Sequence, residues 1–174
     1  MERIRSEEIY KGHVFTVRKD TLRLAEGKEL ARDVVVHPGA VVIMAEQEGK
    51  LLFVSQYRHP TGEQMLELVA GTREPGEEPE ITAGRELQEE AGFKAGRLVK
   101  LAEFFSAPGF CTELLHLYLA EELTPSRLPG DEDEEIDVQW IDREEAVRLA
   151  LEGGFRDAKT LVGVLLYAQL RSAR

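Results

Sequence analysis

The chain has one cysteine, Cys111, one tryptophan and no long apolar run. A lone cysteine cannot close an intramolecular disulfide, so the chain fits a reducing compartment, and nothing around Cys111 marks it as a nucleophile. The longest apolar stretches, GAVVIMA and LVGVLLYA, fall far short of the roughly 20 residues that a membrane-spanning helix needs. The opening MERIRSEEIYKG lacks the apolar centre of a signal peptide, so a cytoplasmic protein with no membrane partner is expected. Basic residues are few: 22 Lys and Arg stand against 33 Asp and Glu, a formal charge of −11, with no basic cluster. A nucleic-acid polymer is therefore not an expected partner. An acidic chain can still take a small phosphate compound, provided divalent cations held by its carboxylates reverse the local field.

What is present is the make-up of one soluble globular domain: 174 residues, 43% hydrophobic and 32% charged, without repeats or low-complexity tracts. HVFTVRKDTLRL and ELARDVVVHP, separated by AEGK, read as a hairpin of two strands. AVVIMA and LLFVSQYR read as buried strands joined at EQEGK, and EQMLELVAG as one more short strand. Between Glu78 and Ala91 the pattern becomes helical, with Pro79 in the first turn and Gly92 placed as a C-terminal stop. LVKLAEFF and LLHLYLAEEL read as strands around the loop SAPGFCTE. The polar loop TPSRLPGDEDEE leads to a short strand, IDVQWI. Two helices close the chain, capped by Asp142 and Asp157; Leu161, Val162, Leu165 and Leu166 share a broad face of the second, expected as core or interface. This order predicts an α/β or α+β fold in which helices cover a mixed sheet.

Residues 70–93, AGTREPGEEPEITAGRELQEEAGF, hold seven glutamates. On a helix Glu86, Glu89 and Glu90 project to one side, where like charges repel. A run of glutamates on a helix is most often a solvated face. Here Arg85 can reach Glu89, but a surface shaped only for solubility would interleave more lysines. Ala83, Leu87 and Ala91 give the helix an apolar side that fixes it against a sheet. A rigid group of carboxylate oxygens is what hard divalent cations require, and magnesium commonly links one or two carboxylates to substrate phosphates.

The spacing sharpens this. Gly71, five residues, Glu77, seven residues, Arg85-Glu86-Leu87, one residue, Glu89-Glu90, one residue and Gly92-Phe93 resemble the Nudix hydrolase box at every one of its nine defined positions. Beyond the box, VVVHPGAVVIMA, FVSQYRHPTGEQMLELVAG, FFSAPGFCTELLHLYLAEEL and DAKTLVGVLL resemble the ADP-ribose pyrophosphatases of that family, and Pro108 lies sixteen residues past Gly92, where that group is marked. Val69 departs from them, standing where many relatives have proline.

The resemblance implies a Nudix α/β/α sandwich over residues 38–174, preceded by N-terminal strands over 1–37 that exchange with a partner in a homodimer. It implies hydrolysis of ADP-ribose to AMP and ribose 5-phosphate with Mg2+, or Mn2+, as cofactor. Glu86, Glu90 and the carbonyl of Ala70 are implied metal ligands, with Glu134 as a further one. Glu89 contributes directly or through water, and Arg85 orients the glutamates through Glu77. The general base is expected in the loop PGDEDEEIDV, at Glu132. Arg58 and Gln56 are expected at the phosphates or terminal ribose, and Ser106, Pro108, Gly109 and Phe110 around the ribose. Other substrates consistent with the same box are sugar nucleotides, NADH and dinucleoside polyphosphates. A binding module that senses ADP-ribose without cleaving it typically loses box glutamates, which this chain retains.

Overall fold

The structure is a computed structural model and describes residues 1–130 and 135–172. Two sheets are present. The first is antiparallel, in the order β1 (Glu2–Lys11), β2 (Thr16–Arg23), β3 (Glu29–Val36). The predicted hairpin is β2–β3, in full register from Thr16 opposite Val36 to Arg23 opposite Glu29. Strand β1 was not expected: ERIRSEEIYK is charged and lacks alternation, and nearly all of it is exposed in the folded chain.

The central sheet takes β4 (Ala40–Gln47), β5 (Lys50–Arg58), β6 (Glu63–Glu67), β7 (Val69–Thr72), β8 (Phe93–Phe105), β9 (Leu114–Pro125) and β10 (Ile136–Asp142). Its path runs β10-β5-β4-β9-β8, with β6 on β5 and β7 on β4. Only the β4–β9 pairing is parallel among those described, so the sheet is mixed. The expected single strand EQMLELVAG is two: it breaks at Leu68, and its halves pair with different neighbours. That break puts Val69–Thr72 against β4 and aims Ala70 and Gly71 at the helix that follows.

Strand β4 shows why the fold is a sandwich. Val41, Ile43 and Ala45 pack with Leu52, Val54 and Val69 against Ala83 and Leu87 of α1 (Pro79–Glu90) and its cap residue Ala91. The alternate residues Val42 and Met44 join Leu51, Phe53, Leu68 and Leu117 against α2 (Arg143–Leu151) and α3 (Ala158–Ser172). Period-two alternation with apolar residues on both faces is the signature of a strand covered on both sides. On α3 the face turned inward carries Thr160, Gly163, Val164 and Tyr167, while Leu161 and Leu166 flank it and Val162 and Leu165 stay partly exposed. Gly163 is needed there, because a side chain at that point would run into Leu68 and Met44.

The caps agree with the sequence. Asp142 accepts the Glu144 amide at 3.0 Å, and Asp157 accepts both the amide (3.0 Å) and hydroxyl (2.6 Å) of Thr160. Gly92, at φ +76°, ends α1 in the left-handed region that glycine takes most easily. No helix among the described residues is long and apolar enough to cross a membrane.

Candidate functional site

A cleft of about 920 Å³ opens along α1. Its floor is β7 and the inward side of α1: Ala70, Gly71, Thr72, Arg85, Glu86, Glu89 and Glu90. One wall brings Arg58 from the end of β5 and Asp157 to Lys159 from the start of α3; the other brings Phe104 to Ser106, Glu113 and Leu115. Arg127 and Gly130 lie at the end near the C-terminus of α1, and Val14 reaches in from the N-terminal sheet.

Glu86 and Glu90, though charged, are buried to 9% and 8% exposure. Burying two carboxylates a helical turn apart is costly unless something compensates them. Arg85 Nη1 donates to Glu86 Oε1 at 2.8 Å and to Glu89 Oε2 at 2.7 Å, and its other nitrogens reach both oxygens of Glu77 at 3.2 Å. Partial burial works against its charge, but the bonds to Glu77, Glu86 and Glu89 outweigh this and raise the guanidinium above its ordinary pKa. Glu77 is held below the usual carboxylate range, first by Arg85, against an opposing effect of burial, and then by the Glu74 amide and the Thr82 hydroxyl. Glu77 thus ties the loop before α1 to the guanidinium that aligns the acidic face.

Glu90 Oε2 accepts the Ala70 amide at 3.3 Å, and the Glu86 carboxyl lies over Gly71 so closely that a β-carbon there would overlap it. The side chains gathered at this point beside Ala70 and Gly71 all offer oxygens: two buried carboxylates, with Glu89 next to them. Such a set fits a hard divalent cation, which takes its remaining ligands from water and substrate phosphates. As the side chains stand, with Arg85 drawing Glu86 and Glu89 toward itself, no three acidic, histidine or cysteine side chains among the described residues are grouped to hold an ion by themselves.

The model of the NUDIX domain matches residues 35–162, which include the whole cleft floor and the box from Gly71 to Phe93. The chain belongs to the Nudix family. It is 40% identical to an ADP-ribose pyrophosphatase of Bacillus subtilis (strain 168) over 173 residues, covering 98% of this chain and 93% of that one. It is 39% identical to an ADP-ribose pyrophosphatase of Mycobacterium tuberculosis (strain ATCC 25618 / H37Rv), covering 94% and 81%. It is also 38% identical to a methanol dehydrogenase activator of Bacillus methanolicus, covering 98% and 93%. A solved structure described as an ADP compounds hydrolase superposes with a TM-score of 0.88 at 24% identity over 99% of this chain and 94% of that one, which shows a shared fold.

Within this Nudix cleft the structure brings together Ala70, Arg85, Glu86, Glu89, Glu90, Arg58 and Ser106. Gln56 is buried in the β10–β5–β6 pairing, opposite Ile136 and Met65, and is not among the cleft-lining residues. Pro108, Gly109 and Phe110 lie on the turn beyond Ser106, outside the wall formed by this chain. The Phe110 carbonyl accepts the Val35 amide at 2.8 Å and its ring is exposed. Glu132 and Glu134 fall outside the described residues.

The sequence reading missed Lys159 and Glu67. Glu67, almost wholly buried, takes Arg58 in a two-pronged pair at 2.8 Å and 2.8 Å and also pairs with Lys159, which reaches Asp157 at 3.0 Å. Burial works against the Glu67 charge, yet the bonds from Arg58 and the charge of Lys159 bring its pKa down to about 2. The network joins β5, β6 and the start of α3 across 92 residues of sequence. No local pattern could have announced it; only a lysine two residues after a helix cap hinted at it.

Proposed function

We propose that this Nudix protein hydrolyses ADP-ribose to AMP and ribose 5-phosphate, with Mg2+ as its preferred ion and Mn2+ as a substitute. The observation that carries the reading is the buried Glu86–Glu90 pair beneath a cleft whose other wall presents Arg58 and Lys159. The two pyrophosphatase relatives, each covering nearly the whole of this chain, support the substrate.

When bound by Glu86, Glu90 and the Ala70 carbonyl, divalent ions supply charge neutralisation on the diphosphate and a more acidic water. The protein's own groups do the rest. Arg85 holds Glu86 and Glu89 in register and is itself held by Glu77, so the acidic face cannot turn away. Arg58 and Lys159, braced on Glu67, present donors to the phosphates and terminal ribose. Ser106 bounds the ribose end from the cleft wall, with Pro108, Gly109 and Phe110 on the turn beyond it and Gln56 two residues before Arg58 on β5. The loop 131–134 supplies the base, Glu132, which takes the proton of the attacking water, and Glu134 supports the ions. These acids suit that role because Glu86 and Glu90 are committed to cations.

A homodimer completes the site in this reading. The N-terminal strands, residues 1–37, leave Ile9, Tyr10, Val14 and Phe15 exposed, and Val14 already lies at the cleft. A partner's strands would cover these side chains and enclose the adenine.

The test is a substrate panel with Mg2+: ADP-ribose, GDP-mannose, ADP-glucose, NADH and diadenosine polyphosphates, scored by kcat/KM. ADP-ribose is expected to lead. GDP-mannose is the informative competitor, since a GDP-mannose pyrophosphatase of Cronobacter sakazakii is 35% identical over 76% of this chain. A clear win for another compound would overturn the substrate and leave the ion site standing.

A further inference from the structure

Arg58, Lys159 and Arg127 line the cleft along with Arg85. The first two lean on Glu67 and Asp157, two carboxylates for two cations, so that wall carries little net charge. Arg85 is surrounded by Glu77, Glu86 and Glu89. Arg127 differs. No carboxylate among the described residues stands within ion-pair distance of it, although the chain carries a formal charge of −11 and glutamates line the same cleft.

Nor is Arg127 a loose surface side chain. Its neighbours on both sides are fastened to the C-terminal end of α1. The Ser126 amide donates to the Gly92 carbonyl at 2.9 Å, the Ser126 hydroxyl to Gln88 Oε1 at 3.0 Å, and the Leu128 amide to the Gln88 carbonyl at 3.3 Å. Gln88 is in turn fixed by its own Nε2, which donates to the Gly84 carbonyl at 2.8 Å. The aliphatic stem of Arg127 runs over Gly92, where a methyl would just touch its Cβ and Cδ at 3.9 Å. Residues 126–128 are therefore clamped to the helix that bears the acidic face, and Arg127 lines the cleft from a fixed base.

We propose that Arg127 is a further substrate-contacting residue, a guanidinium held at the C-terminal end of α1 to meet the diphosphate of the substrate, with Gln88 and Ser126 as its positioning residues. This rests on the reading of the cleft as a diphosphate site. A cation with no ion pair among the described residues, beside carboxylates already engaged by other groups, is available to an incoming anion, and a guanidinium offers a phosphate two parallel donors. Gln88 occupies the unspecified position of the box between Leu87 and Glu89, so a position free in the motif is used here to seat the far wall of the cleft.

The test measures calorimetric titrations of wild type and Arg127→Ala with ADP and with adenosine in the presence of Mg2+, and steady-state ADP-ribose hydrolysis by the same proteins and by Ser126→Ala and Ser126→Thr. The expected result is a loss of about tenfold or more in ADP affinity for Arg127→Ala with adenosine binding unchanged, as removal of a charge-assisted phosphate contact requires. KM for ADP-ribose should rise while kcat stays within about threefold, the pattern of lost uniform binding. Ser126→Ala should shift KM in the same direction, and Ser126→Thr, which keeps the hydroxyl, should restore it. A general loss of packing would instead lower adenosine binding too and would count against the proposal. Unchanged ADP affinity and an unchanged KM in Arg127→Ala would overturn it. If wild type fails to cleave ADP-ribose while Arg127→Ala still weakens ADP, the substrate reading falls and the role of Arg127 stands.

Discussion

The carboxyl of Glu86 rests directly over the α-carbon of Gly71, in space that any side chain at 71 would occupy. Gly71 is not there to permit a left-handed turn. It lies in β7, opposite Val41, and its missing side chain is the seat of a buried carboxylate. Gly71→Ala should therefore push the flexible end of Glu86 aside and leave the strand intact. We expect kcat/KM for ADP-ribose to fall at least about tenfold, while stability to urea changes by less than about 1 kcal/mol, since alanine restricts the unfolded chain. An active Gly71→Ala protein would show that the position of Glu86 does not matter.

Arg85 holds Glu77, Glu86 and Glu89 with one planar guanidinium. A lysine presents a single ammonium and cannot serve three carboxylates in this geometry. Arg85→Lys and Arg85→Gln should both lose about ten- to a hundredfold in activity and bind the activating cation correspondingly more weakly. The check is kcat/KM across a Mg2+ titration; recovery of full activity in Arg85→Lys at ordinary Mg2+ would contradict the aligning role.

Glu67 links stability to pH. Its folded pKa of about 2 lies below the ordinary 4.5, so its contribution is fully present above pH 4.5 and is lost as pH falls toward 2. The shift corresponds to about 3 kcal/mol at neutral pH, an upper figure because Lys159 and Arg58 share it. Glu67→Gln should destabilise the protein by about 2–3 kcal/mol at pH 7, removing the buried charge that faces Arg58 and Lys159, and the difference should fall by more than half at pH 3. Urea denaturation at the two pH values measures this, and a gap that does not narrow would refute it.

The exposed row Ile9, Tyr10, Val14 and Phe15 predicts self-association through the N-terminal sheet. Sedimentation should give about twice the 19.6 kDa chain mass, and Ile9→Asp with Phe15→Asp should shift it toward one chain and raise KM. A wild-type monomer with full activity would remove the partner from the site.

Much of the site could be read in the sequence because its chemistry is local. The face Glu86–Glu89–Glu90, the reach of Arg85 to Glu89 and the helix stop at Gly92 follow from spacing on one helix, while the aligning role of Arg85 is implied by the resemblance of the box. The strands of the core were legible where apolar residues run unbroken, as in Val41–Ala45. Strand β1 was not, because ERIRSEEIYK has neither alternation nor an apolar face, and its partners lie in β2 alone. The break at Leu68 was hidden because no proline, glycine or turn cluster interrupts EQMLELVA, and only pairing with two different neighbours divides it. Lys159, Glu67 and the Gln88–Ser126 clamp join residues distant in the chain, which no window of sequence brings together.

The central claim, that buried Glu86 and Glu90 make a divalent-cation site for cleaving ADP-ribose, is tested most directly by one comparison: kcat/KM for ADP-ribose in wild type and Glu90→Gln across a Mg2+ titration. Glu90→Gln is expected to lose at least about a hundredfold, roughly 2.7 kcal/mol of transition-state stabilisation, and wild type to show no activity once the ion is chelated. A Glu90→Gln protein within about threefold of wild type, or wild-type cleavage that survives chelation, would contradict it.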